Sequence, residues 1–307
     1  MRKHFFIGIL FLTGIVSSSF GQAVSFLNAF LDARTVAMDN AGYALPSPFA
    51  AHRNIASMMS AEAPPITLAA SYLIWQPQYA NAALVNTGGY VRFKNFGLAA
   101  GFRHNSMQAV EKIDAQSNVT GTFVPSEYAA EAGMACKING NFSAGAAFRY
   151  ITSDIGGAKK SSALAADISL YYSRKNLSAG LGVSNFGSKI GYGSSEYGLP
   201  KRITAGGAYL YSPAEKHVLK GVFDVACQSV SGYAGVAGGV GAEYTCNRLV
   251  SARAGYHFES NNVGASYVTL GCGIHFAGFS IDFAYLVAGN NNPMRQTMIF
   301  SLGVIKK

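Results

Sequence analysis

The side chains best suited to hold a metal or attack a substrate are Cys136, Cys227, Cys246 and Cys272, together with His257 and Asp282. No CxxC spacing joins the cysteines, and metal ligands that converge on one ion usually come in such close pairs. The sequence therefore implies no metal and no cofactor. By alternation along their segments, all four thiols share the face of the bulky apolar residues, which points to unpaired cysteines even where a compartment permits oxidation. His257 and Asp282 fall on the opposite, polar face of nearby segments and form the one candidate acid–base couple. No nucleophile constellation, GxSxG or HExxH accompanies them, so the expectation is no catalytic residue and no enzyme. The glycine pairs Gly88-Gly89, Gly206-Gly207 and Gly238-Gly239 lie inside alternating runs, not before helices. They read as bends or crowded positions of a sheet, not as phosphate loops.

The elements that would carry these residues have period two. In FSIDFAYLV, Phe279, Ile281, Phe283, Tyr285 and Val287 take one face and Ser280, Asp282 and Ala284 the other. In the final run Met298, Phe300, Leu302 and Val304 oppose Thr297, Ser301 and Gly303. Such alternation marks strands. It serves equally a soluble sandwich or a barrel in lipid, and composition and turn placement separate the two.

The chain is 50% hydrophobic and only 13% charged, with 35 glycines; about 25% charge is usual for soluble domains. Beyond the N-terminus no apolar run reaches the roughly 18 residues of a spanning helix. A barrel disperses its apolar surface over alternate positions and reconciles these facts. Strands are expected near 66–75, 80–93, 96–104, 127–138, 141–152, 162–173, 176–185, 202–211, 217–228, 238–246, 248–258, 265–276, 278–287 and 295–305. Every second connection is short, as at Lys94-Asn95, Asn139-Gly140, Arg174-Lys175, Asn247-Arg248 and Ala277-Gly278, with 212–216 slightly longer. The intervening ones include the long polar stretches 104–126 and 185–201. Short turns on one rim and long loops on the other are the mark of a transmembrane barrel, with the short turns in the periplasm. The fold class expected is all-β, a transmembrane antiparallel barrel of about 14 strands. Arg103, Glu131, Arg149, Asp167, Asp224, Glu243, Arg253, Asp282 and Arg295 then point inward with signs mixed, and a lumen that pairs its own charges is closed or narrow.

At the N-terminus Arg2 and Lys3 precede the apolar run FFIGILFLTGIV, and Ser19-Phe20-Gly21 supplies a small-residue cleavage site. Residues 1–21 read as a signal peptide, which places the chain in the outer membrane of a diderm bacterium. Residues 22–65 lack alternation and are rich in small residues, which suits a segment that plugs the barrel from within; the alternative is a periplasmic extension. Residues 66–307 form the barrel. Net charge is +9. Without a basic run interleaved with aromatics this excludes nucleic acid, and the excess faces anionic outer-membrane lipid or an acidic partner.

Several segments, in order, resemble the PorV/PorQ family of outer-membrane proteins of type IX secretion, PorV most closely, within the wider group of FadL-like barrels. LDARTVAMDNAG is similar to the family's DARSAGMGxxG pattern, and HRNIA to its NPA element; these carry Arg34 and Asn54 as plug-motif residues. FVPSEYAAEAG, RYITSDIGG, LAADISLYY, GVSNFGSKIGYG, GLPKRITAGGAY and the closing NNNPMRQTMIFSLG resemble further family blocks. Asp39 stands where the family has glycine, Ile55 where it has proline, and the loop after Cys227 lacks the long insertion common in PorV-like proteins.

The resemblance implies a non-catalytic component that binds the C-terminal signal domain of exported proteins. It would carry them from the large translocon barrel to a surface sortase. Trp75, Gln76, Pro77, Tyr79, Asn291, Asn292 and Pro293, on the rim of the long loops, are the candidate partner-contact residues. The alternative function is a FadL-like transporter of hydrophobic small molecules, with residues 26–59 as its hatch.

Overall fold

Alternating runs build strands whose two faces meet different surroundings, and fourteen of these strands close into one antiparallel barrel. The computed structural model describes residues 23–75, 82–155, 160–230, 233–259, 266–290, 292 and 294–306. The signal-peptide expectation, and Gln76, Pro77, Tyr79, Asn291 and Pro293, lie outside the described residues.

In chain order the strands are β1 (Ile66–Trp75), β2 (Ala82–Arg92), β3 (Phe96–Ser106), β4 (Val110–Ile113), β5 (Val119–Phe123), β6 (Ser126–Lys137), β7 (Phe142–Asp154), β8 (Ser161–Arg174), β9 (Leu177–Gly187), β10 (Ile190–Tyr192), β11 (Ser195–Tyr197), β12 (Arg202–Ala214), β13 (His217–Val230), β14 (Tyr233–Cys246), β15 (Val250–Glu259), β16 (Tyr267–Phe276), β17 (Phe279–Val287) and β18 (Met298–Lys306). β4 pairs with β5 and β10 with β11 as separate two-stranded hairpins in the long loops. The other fourteen pair with their neighbours, and β1 meets β18 from Ile66↔Lys306 to Ile74↔Met298 to close the ring. The barrel sheet has no open edge, which lipid requires because it cannot satisfy free backbone groups.

The two faces are inverted relative to a soluble sheet. Phe148 on β7 and Phe276 on β16 are each 72% exposed on the outside, while Arg149, next to Phe148, is 3% exposed inside. A charge hidden beside a bare phenyl ring is favourable only if the outside is hydrocarbon. Cys136, Cys227 and Cys272 are exposed among these outward residues, and Cys246 is half-buried.

The expected strands are present with three shifts of three residues or more. β12 runs past an irregularity after Tyr211 to Ala214, so the turn expected at 212–216 shortens to Glu215-Lys216. β14 begins at Tyr233, where the small residues of GYAGVAGGV mask the alternation. β18 begins at Met298, so Arg295 is not an inward strand residue but sits half-buried in the turn that precedes β18. An arginine in place of Ile168, which is 58% exposed midway along β8, is expected to destabilise the barrel by about 2–4 kcal/mol. Denaturant unfolding in lipid vesicles, with Ile168→Ala as reference, measures it.

Candidate functional site

Residues 23–65 run through the barrel interior, from the long-loop rim, where the Ala23 amide reaches the Gly198 carbonyl oxygen, down to the start of β1. Without alternation the segment forms only single helical turns, Ser25–Asn28, α1 (Ala33–Val36), Ala50–His52 and Ile55–Met59. Asp32 caps α1 by accepting the Thr35 amide at 2.9 Å. So irregular a backbone leaves many groups without a partner of its own, and buried groups need one.

The barrel wall supplies them. Ser301 Oγ accepts the Ala33 amide at 2.8 Å, Thr269 Oγ1 the Asp39 amide at 3.0 Å, and Ser169 Oγ the Ala56 amide at 3.2 Å. Asp224 Oδ2 accepts both the Gly42 and Tyr43 amides, at 2.8 and 2.9 Å. Arg103, fully buried, donates to the carbonyl oxygens of Leu27 and Ala29, and Asn86 to those of Phe30 and Leu31. Near the short-turn rim Arg92 donates to the Ser60 and Ala63 carbonyl oxygens at 2.8 and 2.7 Å. Where the segment passes closest, the wall has no room for a side chain: a Cβ at Gly241 would stand 2.7 Å from Met38 Cα. The inward glycines are thus crowded lumen positions.

Two clusters of paired charges lie inside the lumen. Glu131 and Arg149 lie opposite each other on β6 and β7 and meet at 2.6 Å; Arg149 also holds Asp167 at 2.8 Å and Asn185, and His52 stands 2.7 Å from Glu131. Glu243 and Arg253, opposite on β14 and β15, meet at 2.7 Å, and Arg253 reaches Asp282 at 2.7 Å. Arg34 joins this cluster with a two-pronged contact to Glu243, 2.8 Å at each prong, and the carboxylate pushes its guanidinium pKa further up. Bidentate geometry of this kind fixes position as well as charge.

Asp39 has a left-handed backbone, φ 61°, and Asn40 follows at 58°, a conformation glycine adopts without steric cost. The side chain compensates through its contact with His257 at 3.0 Å. Burial raises the Asp39 carboxyl to about 6, and the hydrogen bond from His257 works against that rise.

Apolar layers lie above and below the charged belt. Phe26, Leu27, Leu73, Leu286 and Ile299 pack with Ile190 and Leu199 of a long loop toward the outer end, and Ile55, Met58 and Met59 meet Tyr90 and Ala99 toward the other. Between segment and wall remains a recess of about 50 Å³ lined by polar groups of Asn28, Tyr43, Arg53, Asn185, Arg202 and Asp224, room for a few waters.

Of the residues singled out from the sequence, Arg34 is in the ionic cluster described above. Asn54 is buried and donates to the Tyr43 carbonyl oxygen at 2.9 Å. Trp75 ends β1 and packs against the outer apolar layer. Asn292 is buried and ties its loop to the Ser266 carbonyl oxygen at 3.3 Å. His257 and Asp282 are not brought together: the first meets Asp39, the second Arg253. Among the described residues no cluster of three His, Cys, Asp or Glu is arranged to hold a metal. The holding roles of Asp224, Asn86 and Arg103 toward the segment are not visible in the sequence beyond their inward parity.

No family model matches the chain, and no curated protein matches it in sequence. Solved structures do. The chain is similar to the toluene transporter TodX of Pseudomonas putida, with TM-score 0.65 and 11% identity over 91% of this chain and 99% of that one. It is similar to the toluene transporter TbuX of Ralstonia pickettii, with TM-score 0.60 and 12% identity over 92% and 99%. A FadL homologue of Pseudomonas aeruginosa aligns with TM-score 0.52 and 13% identity over 93% and 99%. At such identities the likeness is one of fold. The chain has the FadL-like barrel fold and resides in the outer membrane.

Proposed function

We propose that this barrel is a non-catalytic FadL-type transporter that admits small hydrophobic molecules across the outer membrane, with residues 23–65 as a stopper that must shift to let them through. The observation that carries the reading is an interior filled by an irregular segment whose middle is held to the wall through polar contacts, between two apolar layers. Each such contact is worth about 1–3 kcal/mol net, so that breaking the few that hold the middle of the segment in exchange for water is within reach of a bound solute. The like fold of two toluene transporters supports it. The test is uptake of labelled toluene and a labelled fatty acid into cells expressing the barrel. We expect faster entry than in cells with an empty vector, and steady-state ion conductance near zero in planar bilayers. Unchanged uptake of both solutes would overturn the reading.

A second reading, a type IX secretion component that receives the C-terminal signal domain of exported proteins and passes them from a translocon barrel to a surface sortase, draws on a different feature. The outer loops carry two hairpins, β4–β5 and β10–β11, above a lumen filled by residues 23–65. Co-purification discriminates: this reading expects exported protein or a large translocon barrel on the column, the first expects bound lipid or hydrocarbon.

A further inference from the structure

The short-turn rim is predominantly basic. Lys94, Arg174, Lys175, Lys216, Arg248 and Lys306 are exposed there and Lys137 is half-buried, so that every short turn except Ala277-Gly278, and the end of β18, contributes a cation. Glu215 is the one acidic residue in these turns. Among the described residues none of the seven cations forms an ion pair. The opposite rim mixes signs: Lys160 faces Asp154 at 3.6 Å, Lys189 faces Glu196 at 3.9 Å, and Lys112 alternates with Glu111 and Asp114.

Just above the basic ring, on the lipid-facing side, stands an aromatic band. Phe93 stacks on Phe96 at 4.6 Å, Phe142 packs on Tyr172 at 4.7 Å, and Phe276 and Phe279 are 72% and 61% exposed. Aromatic girdles mark the depth where acyl chains give way to headgroups. The cations directly beyond them are therefore at headgroup level, spaced around the circumference and outnumbering the two carboxylates of this rim, Glu215 and Glu62, the second of which faces Lys220 at 3.5 Å.

We propose that this rim is a binding surface for anionic phospholipid, of the phosphatidylglycerol type, in the periplasmic leaflet, which holds the barrel at a set depth. The inference does not depend on what passes through the lumen. Charge complementarity and continuity with the aromatic band favour lipid over an acidic periplasmic protein, which would need no girdle beside it. Phosphate groups of the outer-leaflet glycolipid present the same chemistry, but the rim they would meet is electrically mixed.

The test is native mass spectrometry of the full chain in detergent, titrated with phosphatidylglycerol or phosphatidylcholine of matched acyl length. We expect retention of phosphatidylglycerol to exceed that of phosphatidylcholine about threefold or more. The preference should disappear in K94Q/R174Q/K175Q/K216Q/R248Q and persist in the outer-rim control K112Q/K160Q/K189Q/K201Q. The unmodified chain gives a second readout should the rim variant not fold: the preference should shrink as salt rises from about 0.1 to about 1 M, where screening shortens from about 10 to about 3 Å. Equal retention of both lipids, a preference indifferent to salt, or one lost with the outer-rim substitutions and kept without the basic ring, overturns the proposal. So does a native chain that shows no lipid preference and instead retains an acidic periplasmic protein.

Discussion

Replacement of Arg149 by methionine is expected to destabilise the folded barrel by about 3–5 kcal/mol, the cost of leaving buried carboxylates without their counter-charge. Arg149 is 3% exposed and lies between Glu131 at 2.6 Å and Asp167 at 2.8 Å. It also donates to Asn185, whose own backbone is left-handed at φ 62° and whose side-chain Nδ2 donates to the Pro200 carbonyl oxygen at 2.9 Å. One side chain thus couples two wall strands to the loop that covers the outer end. Without it Glu131 keeps His52 at 2.7 Å and Asp167 keeps the Asn185 backbone amide at 2.8 Å, but neither keeps its guanidinium. Denaturant unfolding in vesicles should show the loss in the midpoint with little change in slope. The triple variant R149M/E131Q/D167N should recover much of it, since the charges that needed pairing are gone. A loss below about 1 kcal/mol for the single variant, the range of a surface pair, would show that water reaches this cluster and that the lumen is not closed there.

The walls of the barrel were legible because each strand repeats one statement: bulky apolar outward, small or charged inward. Eight of the nine residues assigned inward by parity are buried, and only Arg295 falls outside the strands. The cross-strand pairs Glu131–Arg149 and Glu243–Arg253 needed register as well as parity. Register follows from the short turns, so these pairs were within reach of the sequence. The hairpins β4–β5 and β10–β11 escaped because their strands are three to five residues long and, Ile190 apart, mostly exposed. VEKI and VTGTF around DAQSN nevertheless carry the strand and turn signals of a hairpin. The course of the segment 23–65 was not legible at all, since its partners are set by the closed barrel: Gly42 and Asp224, in contact at 2.8 Å, are 182 positions apart. Asp39 shows what the resemblance to the DARSAGMGxxG pattern contributed. A position written as glycine there is one where the backbone turns left-handed, and this chain keeps the turn with an aspartate that bonds to His257.

Asp224→Ala is expected to turn a silent barrel into one that opens repeatedly in planar bilayers. Asp224 Oδ2 alone receives the Gly42 and Tyr43 amides, and hydrogen bonds to a charged acceptor contribute about 1.5–3 kcal/mol each. Without it two buried amides lose their acceptor at the place where the segment turns. The neighbouring layer of Met38, Ala41, Ala44 and Leu45 against Ala208 and Val222 is mostly of small side chains, which offer little apolar area to hold the turn in its place. Arg34 on Glu243 and the Asp39 amide on Thr269 still anchor the segment upstream. The middle of the segment should therefore swing away and return, giving brief openings and not a permanent pore. Adding Arg34→Ala should lengthen the openings, because it removes the bidentate anchor and leaves Glu243 to Arg253 alone. Asp224→Asn, which keeps an oxygen acceptor without the charge, should fall between the native and alanine proteins. The same substitution should raise uptake of small hydrophobic solutes if the segment is a stopper. A D224A barrel that stays as silent as the native one, while unfolding at the same denaturant concentration, would mean that the segment is a fixed part of the wall.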